Sequence, residues 1–129
     1  MIHLRTQRLV LRNWAGRDRA VFHQLNSDER VMAYFPMRRT RAEADELMDR
    51  LQAEIEANGF GFAAVELVST GKCIGMAGIK ACMIPHVLPQ RTIEIGWRLH
   101  PGYWGLGLAT EAASAWLKRG FGEFAFPEI

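Results

Sequence analysis

The reading turns on Glu94-Ile95-Gly96-Trp97-Arg98-Leu99-His100-Pro101-Gly102-Tyr103-Trp104-Gly105-Leu106-Gly107-Leu108-Ala109-Thr110-Glu111-Ala112. From Thr92 its first part alternates. Ile93, Ile95, Trp97 and Leu99 fall on one face and Thr92, Glu94, Gly96 and Arg98 on the other, which is the period of a strand. After a tight turn with glycines at 105 and 107, residues Gly107 to Arg119 put Leu108, Ala109, Ala112, Ala113, Trp116 and Leu117 on a broad apolar helix face. Glycines there remove the β-carbons that keep an anion from the backbone. The first free amides of the helix then point at that anion, and the helix dipole adds partial positive charge. Such a turn holds a pyrophosphate without a lysine, and the small Ala109 and the Thr110 hydroxyl suit the same use.

Upstream, Phe60 to Val68 is nearly all apolar, as a strand buried on both faces should be, with Glu66 the exception. Ser69-Thr70-Gly71-Lys72 is a hairpin turn, and Cys73 to Ile79 is an antiparallel partner strand. Glycines at 75 and 78 predict another backbone at close range. Residues 81 to 91, with Pro85 and Pro89, read as a loop. Further upstream, Thr40-Arg41-Ala42-Glu43 is a capping box. It opens a helix whose Ala44, Leu47, Met48, Leu51 and Ile55 recur at helical spacing until Asn58-Gly59. Gly16 to Asn26 is a shorter amphipathic helix, and Pro36 places a turn between the two helices. Arg8 to Trp14 alternates like a strand with one wet face, and Phe126 to Ile129 looks like the start of another strand. The order is strand, helix, helix, three strands, helix, strand, an α+β domain with a mainly antiparallel sheet flanked by helices.

Bulk properties narrow the function classes. A chain of 129 residues that is 49% hydrophobic is long and apolar enough for one core. A net charge of +2 is no nucleic-acid signature. The dense basic cluster Arg38, Arg39 and Arg41 reads first as a solvated helix start and second as a phosphate site. No apolar run reaches membrane-spanning length, and the first residues lack the apolar core of a signal peptide, so the default is cytoplasmic. Cys73 and Cys82, with His3, His23, His86 and His100, share no ligand spacing, so no metal is expected.

A glycine pair before a helix also occurs in dinucleotide folds. There it sits in an early βαβ unit with an acidic residue ~20 positions later. Here it follows antiparallel strands late in the chain, and the Walker pattern is absent. Trp104 to Ala109 resembles the pyrophosphate motif Gln/Arg-x-x-Gly-x-Gly/Ala of the GNAT superfamily of N-acetyltransferases, with Gly107 and Ala109 on the small positions and Trp104 replacing Gln or Arg. The longer strings around it, and the opening Thr6-Gln7-Arg8-Leu9-Val10-Leu11-Arg12, look like the ribosomal-protein-alanine N-acetyltransferase-like branch.

The resemblance implies the GNAT (acyl-CoA N-acyltransferase) fold, with acetyl-CoA as cosubstrate lying along the strand before the motif. Trp97, Arg98 and Leu99 would pair with pantetheine. Trp104, Gly105, Leu106, Gly107, Leu108, Ala109 and Thr110 would hold the pyrophosphate. The reaction would be direct acetyl transfer to an amine through a tetrahedral intermediate, with an oxyanion donor near Trp97 or Arg98.

A base must take the amine proton. Glu94 is the candidate, against the alternative of a carboxylate paired with a sheet neighbour; Glu66 is the second choice. Tyr34, Phe35 and Met37 are candidates for the acceptor pocket, or else plug the core. The favoured acceptor is a protein N-terminal amine, with small-molecule amines as the alternative. Family members continue past the motif helix, so the chain is expected to be a single domain, 1–129, lacking the C-terminal strands and helix. An exposed sheet edge and apolar tail would then offer a route to a homo-oligomer. A non-catalytic coenzyme-A-binding module therefore stands beside the enzyme reading. No nucleic acid or membrane partner is expected.

Overall fold

The computed structural model describes residues 2–32, 39–84, 88–126 and 129, with side chains left aside at 82–84 and 88–92. Five strands form one sheet in the order of the sequence: β1 (Ile2–Arg5), β2 (Leu9–Arg12), β3 (Phe62–Leu67), β4 (Cys73–Ile84) and β5 (Leu88–Leu99). Every neighbouring pair is antiparallel. Helices α1 (Arg19–Ser27) and α2 (Arg41–Asn58) cover one face, while α3 (Leu108–Gly122) covers the other. Short 3-10 turns at Gly16–Asp18 and Pro101–Tyr103 lead into α1 and out of β5.

The helix limits follow from local chemistry. The Thr40 hydroxyl accepts from the Glu43 amide, and the Glu43 carboxylate accepts from the Thr40 amide, which closes the predicted box at the start of α2. Gly59 ends that helix in the left-handed conformation at φ 79°. The inner face of α2 buries Ala44, Met48, Leu51 and Ile55. The sheet contributes Leu9, Leu11, Val65 and Ile79, and α3 buries Trp116 against it.

The close backbone approach expected at Gly75 and Gly78 is present. A β-carbon on Gly78 would lie 1.9 Å from the Gly61 carbonyl oxygen, and one on Gly75 would lie 2.1 Å from that of Arg98.

Four expectations need correction. The opening segment holds two strands, because residues 2–5 turn back through Thr6 to pair with β2. All four residues of β2 are buried, so its predicted wet face is covered. That cover is ionic: Arg12 donates to both Asp18 oxygens, at 2.7 and 3.0 Å, and to Glu66 at 2.9 Å. Asp18 is 1% exposed. Its hydrogen bond, ahead of the opposing burial, raises the affinity of Arg12 for its proton. Removing one member of such a buried pair costs about 3–5 kcal/mol, because the other charge stays behind.

The third correction concerns residues 81–84 and 88–91, which extend β4 and β5. Cys82 pairs with Thr92 and, past a shift in register, Ile84 pairs with Leu88. Pro89 is tolerated because β5 is an edge strand. Finally, the apolar tail does not hang free. The Phe126 amide donates to the Gly120 carbonyl, and Phe124 and Phe126 lie against Phe60 with ring centroids 5.2 Å apart. Phe126 lies outside any strand.

Candidate functional site

The site lies where β5 runs out and α3 has not yet begun. The pleat puts Ile93, Ile95, Trp97 and Leu99 on the α3 side, as the alternation predicts. That face is uncovered at Trp97, which is 51% exposed, while Ile93 and Leu99 on either side of it are buried. The uncovered face is the floor of a groove of about 280 Å³, lined by Trp97, Leu99, Trp104, Gly105 and Gly107 and by the first turn of α3 at Leu108, Ala109 and Thr110.

Gly105 and Gly107 have φ of 76° and 77°, a conformation that side chains resist. Gly107 caps α3 without any side-chain cap. The first helical bond at this end runs from the Glu111 amide to the Gly107 carbonyl. Among the described residues, the amides from Gly105 to Thr110 donate to no protein acceptor. A row of bare amides at a helix start, flanked by β-carbon-free positions, is an electropositive cradle suited to phosphate oxygens.

The backbone of β5 adds direction. The His100 amide donates to the Ile74 carbonyl at 2.8 Å. Antiparallel alternation then turns the backbone of Arg98 toward β4 and that of Trp97 and Leu99 toward the open edge. The Leu99 carbonyl is taken by the Trp104 indole at 2.8 Å, which anchors the start of the turn. Of the three residues assigned to pantetheine, Trp97 thus offers its amide outward and Arg98 does not. The Arg98 side chain lies on the opposite face and donates to Asn26 Oδ1 at 3.1 Å.

Other expected site residues separate from the groove. Glu94 is exposed on the α1–α2 face, opposite Lys80 in the ladder. Lys80 turns to Glu54, 3.7 Å away. Glu66 accepts from both Arg12 and Arg17, so the salt-bridge reading holds for it. Tyr34, Phe35 and Met37 lie outside the described residues.

Two residues of the site were not read from the sequence. The Arg8 side chain reaches the glycine turn, donating to the Leu106 carbonyl at 2.9 Å and to Glu111 at 2.7 Å. Glu111 also accepts from the Arg8 amide at 3.0 Å and from the Thr6 hydroxyl. Burial works against ionisation of Glu111, but the bonds from Thr6 and Arg8 outweigh it and hold the carboxyl below its ordinary range. Arg8 thus places a cation beside the cradle, which its local sequence did not indicate.

A larger hollow of about 350 Å³ lies beyond Tyr103, between α1 and the β3–β4 turn. Its Arg17 and Asp18 are engaged in ion pairs. The Cys73 thiol on its wall is pushed up to about 11 by burial, then by the nearby Asp18 charge, so it is no nucleophile at neutral pH.

Comparison with known proteins gives a consistent answer. The family model described as an acetyltransferase (GNAT) domain matches residues 8–129. YkkB of Bacillus subtilis is 33% identical over 126 residues, covering 96% of this chain and 71% of the relative. The N-acetyltransferase YnaD of the same organism is 28% identical over 134 residues, covering 99% and 71%. The crystal structure of an acetyltransferase from Agrobacterium tumefaciens superposes with a TM-score of 0.80 at 29% identity, covering 96% of this chain and 69% of that one.

Proposed function

Since the chain belongs to the GNAT acetyltransferase family, we propose that it transfers an acetyl group from acetyl-CoA to a primary amine. The observation that carries this reading is the row of unengaged amides from Gly105 to Thr110 opening onto the groove beside β5. Those amides would hold the pyrophosphate, and the outward backbone of Trp97 would meet the pantetheine arm. Bound acetyl-CoA supplies an activated acyl thioester.

The outward amide of Trp97 is the donor placed to stabilise negative charge on the acyl oxygen, a contribution of about 3 kcal/mol in comparable sites. Glu94, on the face of β5 opposite the groove, takes the amine proton through water, with the acceptor approaching from that face. What supports that role is its exposure on β5, together with the absence of any ion pair to it among the described residues. A protein N-terminal amine is the favoured acceptor, by likeness of the motif strings to the ribosomal-protein branch.

Calorimetric titration with coenzyme A tests the cradle. Gly107→Trp and Thr110→Trp should each weaken binding by more than about tenfold. Thr110 is an exposed helical position, so that variant keeps its fold. Equal binding by the unaltered chain and both variants removes the assignment. Thiol release from acetyl-CoA, measured over N-terminal peptides and polyamines, then identifies the acceptor. Glu94→Gln should slow that release about a hundredfold and leave coenzyme A affinity unchanged; an unaltered rate would reassign the base.

A further inference from the structure

We propose that Arg8 is the positioning residue of the amide cradle and makes it selective for ligands that carry a diphosphate. The inference rests on the reading of the cradle given above. A run of amides accepts an anion only while the intervening carbonyls point elsewhere, since one carbonyl oxygen turned inward repels the same anion.

The vulnerable carbonyl is that of Leu106. It lies between two glycines of positive φ, where the peptide plane has the least steric restraint. Leu106 is itself 55% exposed. Arg8 Nη1 donates to this carbonyl at 2.9 Å and so holds its oxygen on the guanidinium.

Arg8 is held in turn. Its Nε donates to one oxygen of Glu111 at 2.7 Å and its backbone amide to the other at 3.0 Å. The Thr6 hydroxyl adds a third bond to the same carboxylate and receives the Leu9 amide. The guanidinium is therefore pinned from two sides. Its remaining edge faces the turn: Nη2 stands 3.5 Å from the point that a β-carbon on Gly107 would occupy. Among the described residues, Nη2 donates to no protein acceptor. A phosphate oxygen seated on the amides at Gly107 meets that edge as a charge-assisted donor. Because Glu111 balances the charge, the guanidinium contributes direction, and a lysine lacks the planar fork that meets Glu111, the Leu106 carbonyl and the ligand from separate nitrogens.

The test is a titration followed by amide NMR shifts, which read millimolar affinities. Probes are coenzyme A, ADP and pantetheine, added to the unaltered chain, Arg8→Ala and Arg8→Lys. Both variants should bind coenzyme A and ADP at least about tenfold more weakly. Pantetheine, which has no diphosphate, should bind within about twofold of the unaltered chain. The Gly105 and Gly107 amide signals should broaden or shift in the unliganded variants as the Leu106 peptide is released.

Wild-type affinity for ADP in Arg8→Lys overturns the proposal, as does a loss that is equal for ADP and pantetheine. Should Arg8→Ala fail to fold, Arg8→Lys decides alone. If the unaltered chain binds coenzyme A without dependence on Gly107, the cradle itself falls. If that dependence holds and both Arg8 variants bind like the unaltered chain, only the present inference falls.

Discussion

Glu111 shows how a single carboxylate can tie the two ends of a chain together. It belongs to the first turn of α3, yet three of its bonds go to Thr6 and Arg8, more than a hundred residues away. Its folded-state affinity for protons is lowered, so its contribution is present above the ordinary carboxylate range and is lost as pH falls through the depressed value. Glu111→Gln should therefore lower stability by about 1 kcal/mol at pH 7. The gap between mutant and parent should close at a pH acid to that depressed value. Thermal melts at the two pH values check this, and a gap that persists undiminished in acid would contradict it.

Neither Arg8 nor Glu111 was legible as a site residue. Both stand in the motif strings, but nothing in their spacing says that one meets the other. Glu94 and Arg98 show the converse limit. Strand alternation gave their face correctly, while whether that face carries the groove depends on where α3 begins.

Among the elements, the β3–β4–β5 meander was the most readable. The Ser69–Lys72 turn, the apolar run before it and the glycines after it each imply the ladder that forms. Gly78 offers a direct check, because its missing β-carbon is what lets the Gly61 carbonyl approach. Gly78→Ala should cost at least about 2 kcal/mol, read as a lower urea midpoint. Gly122→Ala, at a site with no atom in reach, should stay within about 0.5 kcal/mol. Similar midpoints for the two would show that the sheet yields at residue 78. Residues 88–91 were misread because a proline ordinarily ends a strand, and the edge position spares β5 that penalty at Pro89. The covered face of β2 was missed for a related reason. An arginine in an alternating strand reads as solvent-facing until a buried carboxylate from another element meets it, as Asp18 does here.

At the scale of the whole molecule, the groove exists because the two helical layers differ in reach. α1 and α2 cover one face, whereas α3 leaves the end of the other open beside the edge strand. A ligand seated there touches β5, the turn and α3 together, and should stabilise the folded chain as a unit. Coenzyme A at a hundred times its dissociation constant should add about 2.7 kcal/mol, a rise of several degrees in Tm. Thr110→Trp, binding at least about tenfold more weakly, should cut that gain to about 1.4 kcal/mol or less, and an undiminished shift in the variant would place the ligand elsewhere.

By itself the sequence determined what depends on near neighbours along the chain. The capped helix from Arg41, the hairpin at Ser69–Lys72, the period of β5 and the glycine turn before α3 are all set by interactions a few residues long. The tertiary structure alone decided which of those elements meet. It brought Arg8 to the Leu106 carbonyl, buried Arg12 on Asp18 and left Trp97 uncovered. Charges and edges acquire a role only from partners far away in sequence, and no local spacing encodes that distance.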